Sequence, residues 1–156
     1  MRIGVLAGIA TFLLTLPGVG ALPAQAQAIT LQQAKTAMEA AETEARQNKW
    51  NLAILIVDAE GTPIALGRMD GASMRNYEIA MAKVRTALAS GMHTEDYAAA
   101  VKAGKTKEIP DGTTFPGGYL LRRDGKVVGA MSASGARGVE DAQSVRAGMA
   151  AIGFKP

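Results

Sequence analysis

Leu31, Ala34, Met38, Ala41 and Ala45 recur at intervals of three and four residues, with Gln32, Lys35, Glu39, Glu42 and Arg46 between them. This periodicity predicts an amphipathic helix with one buried stripe. Thr30-Leu31-Gln32-Gln33 marks its start, because the Thr30 hydroxyl can accept from the third helical amide while Gln33 reaches back to the cap. The period then changes. Leu52 to Val57 is an unbroken apolar run rich in β-branched residues, which predicts a strand covered on both faces. After a turn at Asp58-Ala59-Glu60-Gly61 the chain returns as a second strand from Pro63 to Met69, proline being tolerable at its first position. Asp70-Gly71 ends this hairpin.

From about Ser73 the pattern is helical again, with Tyr77, Met81, Val84 and Leu88 on one stripe and small Ala80, Ala87 and Gly91 beside it. Thr94 is placed to cap a shorter helix whose first turn carries Glu95 and Asp96, acids that favour the positive helix end, and Gly104 ends it. Residues 104–118 hold two prolines and four glycines and read as a long surface loop. Tyr119 to Arg122 and Lys126 to Ala133 then form a second hairpin about Asp124-Gly125, a two-residue turn that needs positive φ. Val139, Ala142, Val145, Met149 and Ile152 define a last helix, with Glu140 and Asp141 in its first turn and Gly153 as its stop. The order helix, hairpin, two helices, hairpin, helix predicts an α+β domain: an antiparallel sheet flanked by helices.

The segment before Thr30 has a different character. Met1-Arg2 precedes the apolar run Ile3 to Leu16, and Ala24-Gln25-Ala26 supplies a small-residue cleavage site, so residues 1–26 read as a secretory signal peptide, with cleavage after Ala26 or Ala28. The run is shorter than the roughly 20 residues a membrane span needs. Residues 27–156 are therefore expected to form one exported domain, periplasmic or secreted, with no membrane span in the mature form. Without Arg2 the 17 basic and 14 acidic side chains leave a formal charge of +2, which is no footprint for nucleic acid.

The absence of cysteine excludes disulfides, and with a single histidine it excludes zinc motifs. Ser132 and Ser134 lack the Gly-x-Ser-x-Gly elbow, and Gly104-Lys105-Thr106 lacks the glycine that a phosphate loop needs at position 99. No catalytic residue is assigned.

Arg68 to Ala72 (RMDGA), Ile79 to Ala87 (IAMAKVRTA), Pro116 to Gly118 (PGG) and Val127 to Gly135 (VVGAMSASG) together resemble the GlcG/HbpS-type heme-binding family, which includes the C-terminal domain of PduO-type corrinoid adenosyltransferases. The resemblance covers nearly all of residues 27–156. It implies a profilin-like fold with a five-stranded antiparallel sheet, assembly into homo-oligomers, and binding of heme or iron. Where the family's strand ends Gly-Val-Ser-Gly, this chain has Ser132-Ala133-Ser134-Gly135, and Tyr119-Leu120 follows the glycine pair where the family has a proline.

Under that resemblance heme, or a similar planar ligand, would occupy a groove made from the Asp70-Gly71 turn, the helix after it, the Pro116-Gly118 loop, with Gly117 and Gly118, and the small-residue strand that includes Ser134. Gly129, Ala130, Ser132, Ala133 and Gly135 remove bulk along that strand, so either a flat ligand or a packed helix can come close. His93 is either a junction residue or the iron ligand. Met69, Met74, Met81, Met92 and Met131 either supply a thioether or fill apolar space. Arg68, Arg122, Arg123 and Arg137 are the candidate cations for the propionates, Arg137 lying in Gly135-Ala136-Arg137-Gly138, a turn whose amides can converge on an anion. Glu39 and Glu42 share a helix face and form either a surface iron site or a solvated face. Storage, sensing or scavenging of heme is the function expected. Two alternatives stay open: an enzyme acting on a small organic acid, with Arg68 or Arg137 as clamp and Asp70 or Glu78 as base, and an oligomeric interaction module with no small ligand.

Overall fold

The computed structural model describes residues 28–155, and the signal-peptide expectation for residues 1–26 falls outside them. The Thr30 capping box forms as predicted: the Gln33 amide donates to Thr30 Oγ1 and the Thr30 amide to Gln33 Oε1, both at 3.1 Å. Helix α1 (Leu31–Gln47) buries Ala34, Ala37, Ala41 and Ala45. Leu31 stands exposed and Met38 half-buried, so the buried stripe is made of alanines alone. Small residues let α4 (Gly138–Ala151) approach closely: a Cβ on Gly148 would stand 2.6 Å from the Ala37 carbonyl oxygen.

Strands β1 (Ala53–Asp58), β2 (Pro63–Arg68), β3 (Gly118–Arg123) and β4 (Lys126–Ser134) form one antiparallel sheet in the order β2-β1-β4-β3. Apolar β1 is central and covered on both faces. Ile54 and Ile56 pack with Tyr119, Leu121 and Met131 beneath α1 and α4, while Leu55 and Val57 pack with Leu120 and Ala130 beneath α2 (Met74–Ser90). Continuous hydrophobicity in an antiparallel strand is the consequence of helices on both sides.

The described residues contain four strands, where the resemblance implied five. The reason lies at the outer edge of β3, where α3 (Thr94–Lys102) and its cap take the place of another strand. The Gly118 amide donates to Thr94 Oγ1 (3.0 Å) and the Leu120 amide to His93 Nδ1 (3.1 Å). Both edge donors are thereby satisfied by side chains, and the edge is closed to further pairing. This also corrects the expected cap: His93 occupies the N-cap without a side-chain cap bond, and the Thr94 hydroxyl serves the sheet instead.

The segment between α3 and β3 is fastened by two hydroxyls. Tyr97 Oη accepts from the Ile109 amide (2.7 Å) and the fully buried Thr86 Oγ1 accepts from the Thr113 amide (2.9 Å). Thr86→Val keeps the shape and orphans that amide, so a loss of about 1–3 kcal/mol is expected. Hydrogen exchange at Thr113 should accelerate beyond the rise at β1 amides; equal acceleration would show that Thr86 does not anchor the loop.

Candidate functional site

At the C-terminal end of β4 the chain must pass from the sheet into α4 through Gly135-Ala136-Arg137. Gly135 takes φ +148°, and a Cβ there would stand 2.1 Å from the Asn51 carbonyl oxygen. The Asp70-Gly71 turn lies against the same residue, a Cβ on Gly71 meeting Asn51 Nδ2 at 2.7 Å. Around this strand end opens a cleft of about 280 Å³ lined by Asn76, Ile79 and Lys83 of α2, Phe115, Ser134 to Ala136, and Gly138 and Asp141 of α4. Phe115 of this lining stands exposed, and so do Met74 and Val139, which lie two residues before Asn76 and one after Gly138.

A buried ion pair crosses the inner wall. Lys83 Nζ donates to Asp141 Oδ2 and to the Ala133 carbonyl, each at 2.7 Å, and both side chains are almost fully enclosed. Asp141 Oδ1 in turn accepts from the Ala136 amide at 2.9 Å. The pair joins the helix on one face of the sheet to the helix on the other. Burial pulls the Lys83 ammonium below its ordinary range against the opposing pull of Asp141, and burial pushes the Asp141 carboxyl up against Lys83 and the Ala136 and Gly135 amides. The glycine pair makes room: a Cβ on Gly117 would lie 2.9 Å from Asp141 Cβ and 3.0 Å from Lys83 Nζ, and one on Gly118 would lie 2.8 Å from the Lys83 carbonyl oxygen.

The predicted site residues therefore divide. Ser134 lines the cleft, Gly117 and Gly118 pack behind its wall, and Gly71 sits at the adjoining turn. Arg137 is at the rim but engaged: its Nε and Nη2 donate to Glu140 Oε1, and its amide donates to Glu140 Oε2. The anion positions of that turn are filled by the chain's own Glu140 and Asp141. Arg68 donates through Nη1 to the Ala72 carbonyl, bracing the Asp70-Gly71 turn, and Asp70 is exposed. Met69 packs against the α1 side of the core, and Met131 is fully buried there. Ser132 Oγ donates to the Ala80 carbonyl at 2.7 Å, pinning α2 to the sheet.

His93 lies elsewhere, in a separate hollow with Gly91, Met92, Asp96, Leu120 and Arg122 that shares no lining residue with the cleft. Its ring sits 4.7 Å from that of Tyr119, and Nδ1 accepts from Leu120, which assigns the proton to Nε2. In that tautomer neither nitrogen offers a free lone pair. Burial lowers its affinity for a proton, outweighing Asp96 and Glu95, which raise it, while Arg122 lowers it a little more. The unfolded chain thus binds more protons between the folded value and 6.5, and stability gained above pH 6.5 is lost as pH falls through the folded value. Denaturation between about pH 7 and pH 5 should show this slope, and His93→Asn should flatten it. An unchanged slope would assign the acid sensitivity to other groups.

Sequence reasoning missed Lys83 and Phe115, and it read Asp141 only as a first-turn acid. For Lys83 a signal existed: it lies among Ala80, Val84 and Ala87, on the side of α2 that faces the sheet.

Residues 29–150 match the family described as Haem degrading protein HbpS-like. The chain belongs to this family. It is similar to protein GlcG of Escherichia coli K12, at 32% identity over 108 residues, 68% of this chain and 81% of that one. Corrinoid adenosyltransferase PduO of Citrobacter freundii is 30% identical over 136 residues; the match takes in 83% of this chain but 41% of PduO. Among solved structures, the PduOC complex with heme superposes with a TM-score of 0.77 at 29% identity, covering 83% of this chain and 98% of that one. A double mutant of Streptomyces reticuli HbpS superposes with a TM-score of 0.76 at 30% identity, covering 93% of this chain and 99% of that one. No described helix is long and apolar enough to cross a membrane.

Proposed function

We propose that this protein binds heme, or a closely similar tetrapyrrole, at the cleft beyond the end of β4. The observation that carries the reading is an open cleft with a small-residue floor at Ser134 to Ala136 and exposed Phe115 in its lining, with exposed Met74 and Val139 next to the lining segments in sequence. At about 280 Å³ the cleft encloses one edge of a macrocycle and leaves the remainder to these apolar side chains. Membership of the HbpS-like family and the likeness to the PduOC–heme complex support the same reading. Arg75, exposed in the first turn of α2 and next in sequence to Asn76 of the lining, is the cation available for a propionate. The Ser134 hydroxyl and the Asn76 amide are the neutral polar groups within the cleft. A heme binder of this kind serves storage, sensing or scavenging, and the leader-like residues 1–26 support export. Assembly into a homo-oligomer belongs to the same proposal.

Titration of the purified protein with hemin tests it. A saturable Soret band is expected, with affinity reduced about tenfold in Phe115→Ala, the equivalent of about 1.4 kcal/mol of lost apolar contact. His93→Asn should leave the spectrum unchanged. No saturable band would overturn heme binding, and a band shifted by His93→Asn would move the site to the edge of β3.

A further inference from the structure

The outer edge of β3 is held by side chains that stand where the carbonyls of a further strand would be. The amides of Gly118 and Leu120, two residues apart, donate to Thr94 Oγ1 at 3.0 Å and to His93 Nδ1 at 3.1 Å. The two acceptors differ in chemistry. A threonine hydroxyl accepts at any pH, whereas an imidazole accepts only while it is neutral, because both nitrogens of the imidazolium are donors. No rotation of a charged ring restores the bond, and protonated His93 in its present place would set one N–H group against another at Leu120.

We infer that His93 is a proton-operated latch: neutral, it fastens the start of α3 to the edge of β3; protonated, it turns away and leaves that edge open at the Leu120 amide. His93 is the N-cap residue of α3 but makes no cap bond with its side chain, so its imidazole is fixed by the Leu120 amide and by the Tyr119 ring, 4.7 Å away between centroids. Beside it lies the hollow of about 210 Å³ lined by Gly91, Met92, Asp96 and Arg122, which gives the ring room to turn.

The charged groups around the ring come from three elements. Glu95 and Asp96 of α3 attract an imidazolium, and Arg122 of β3 repels it. Because Asp96 lines the hollow, a ring that turns into it exchanges the amide for a carboxylate. Tyr119 of β3 stays neutral, burial and then Glu95 pushing its phenol well up, and its oxygen engages Arg146 of α4 at 2.6 Å.

Release is local. The Thr94 bond to Gly118, the Tyr119 Oη contact with Glu95 Oε1 at 2.7 Å and the Tyr97 anchor of the following loop do not involve the imidazole, so α3 stays docked while one rung of the edge opens. In the latched form burial lowers the ring's affinity for a proton, and release returns it toward the ordinary 6.5. The opened form therefore binds more protons, and its population grows about tenfold for each pH unit below 6.5 until the latched value is reached. The hollow shares no lining residue with the cleft, so the latch does not rest on heme binding.

Amide exchange followed by NMR on the heme-free protein tests the inference. Between about pH 7 and pH 5 the protection of Leu120, corrected for intrinsic exchange, should fall about tenfold or more. At the lower pH this exchange should be indifferent to low urea, since so small an opening exposes little surface, while Leu55 in β1 keeps the urea dependence of whole-fold unfolding. His93→Asn offers an amide oxygen that accepts at every pH in this range, so Leu120 should keep its protection throughout. Leu120 exchange that urea enhances as strongly as that of Leu55 would show that only whole-fold unfolding exposes it, and would overturn the latch. Protection unchanged between the two pH values, or the same fall in His93→Asn, would overturn it as well. Should the variant fail to fold, the pH and urea dependence of Leu120 in the unaltered protein decides alone.

Discussion

Lys83→Met is expected to lower the unfolding free energy by about 3–5 kcal/mol, because it leaves the Asp141 carboxylate buried without its countercharge. Methionine keeps most of the volume, so the loss reports charge and hydrogen bonding more than packing. The Asp141 carboxyl would still accept from the Ala136 amide, yet its enclosure removes the solvent that could otherwise compensate. Adding Asp141→Asn removes the stranded charge while retaining an acceptor for Ala136. The double variant should therefore recover part of the loss, with a coupling of about 1–3 kcal/mol. Urea unfolding of the two single variants and the double variant gives this value directly. Additive effects would show that the pair is energetically uncoupled despite its 2.7 Å contact.

Gly135→Ala should cost about 3 kcal/mol or more, for two reasons that act together. The residue adopts φ +148°, a conformation in which a side chain is strained, and its added carbon would stand 2.1 Å from the Asn51 carbonyl oxygen and 3.1 Å from both Asn51 C and Leu52 Cα. All three are backbone atoms, so relief requires the segment entering β1 and the chain between β4 and α4 to separate. Gly104→Ala supplies the comparison: φ is +67° there, but nothing lies within 4 Å of the added carbon. That variant carries backbone strain alone, about 1–2 kcal/mol. Thermal unfolding of both should rank Gly135→Ala well below Gly104→Ala. Equal losses would mean that the strand end yields easily. The same comparison bears on the cleft, since Gly135 and Ser134 form its floor.

The architecture was readable in the chain because each element satisfies a local rule. The capping box at Thr30, the Asp124-Gly125 turn and the unbroken apolar β1 are settled by residues within a few positions of one another. So were the order of elements and the resemblance carried by the glycine-rich segments, confirmed by the family match over residues 29–150. Which apolar or charged residues converge was not readable, because convergence depends on pairs far apart in sequence. Lys83 and Asp141 are 58 residues apart, and nothing local distinguishes Asp141 from an ordinary helix-start acid. His93 looked available from its position between two helices, but Leu120, 27 residues later, donates to the nitrogen that a metal would need. Arg137 looked like an anion site until the fold placed Glu140 and Asp141 on the same donors. Periodicity and turn chemistry determined the layers and their order; tertiary contact alone decided which polar groups pair with one another and which remain at the cleft for a ligand, because pairing is settled by distance in space and by exclusion of water.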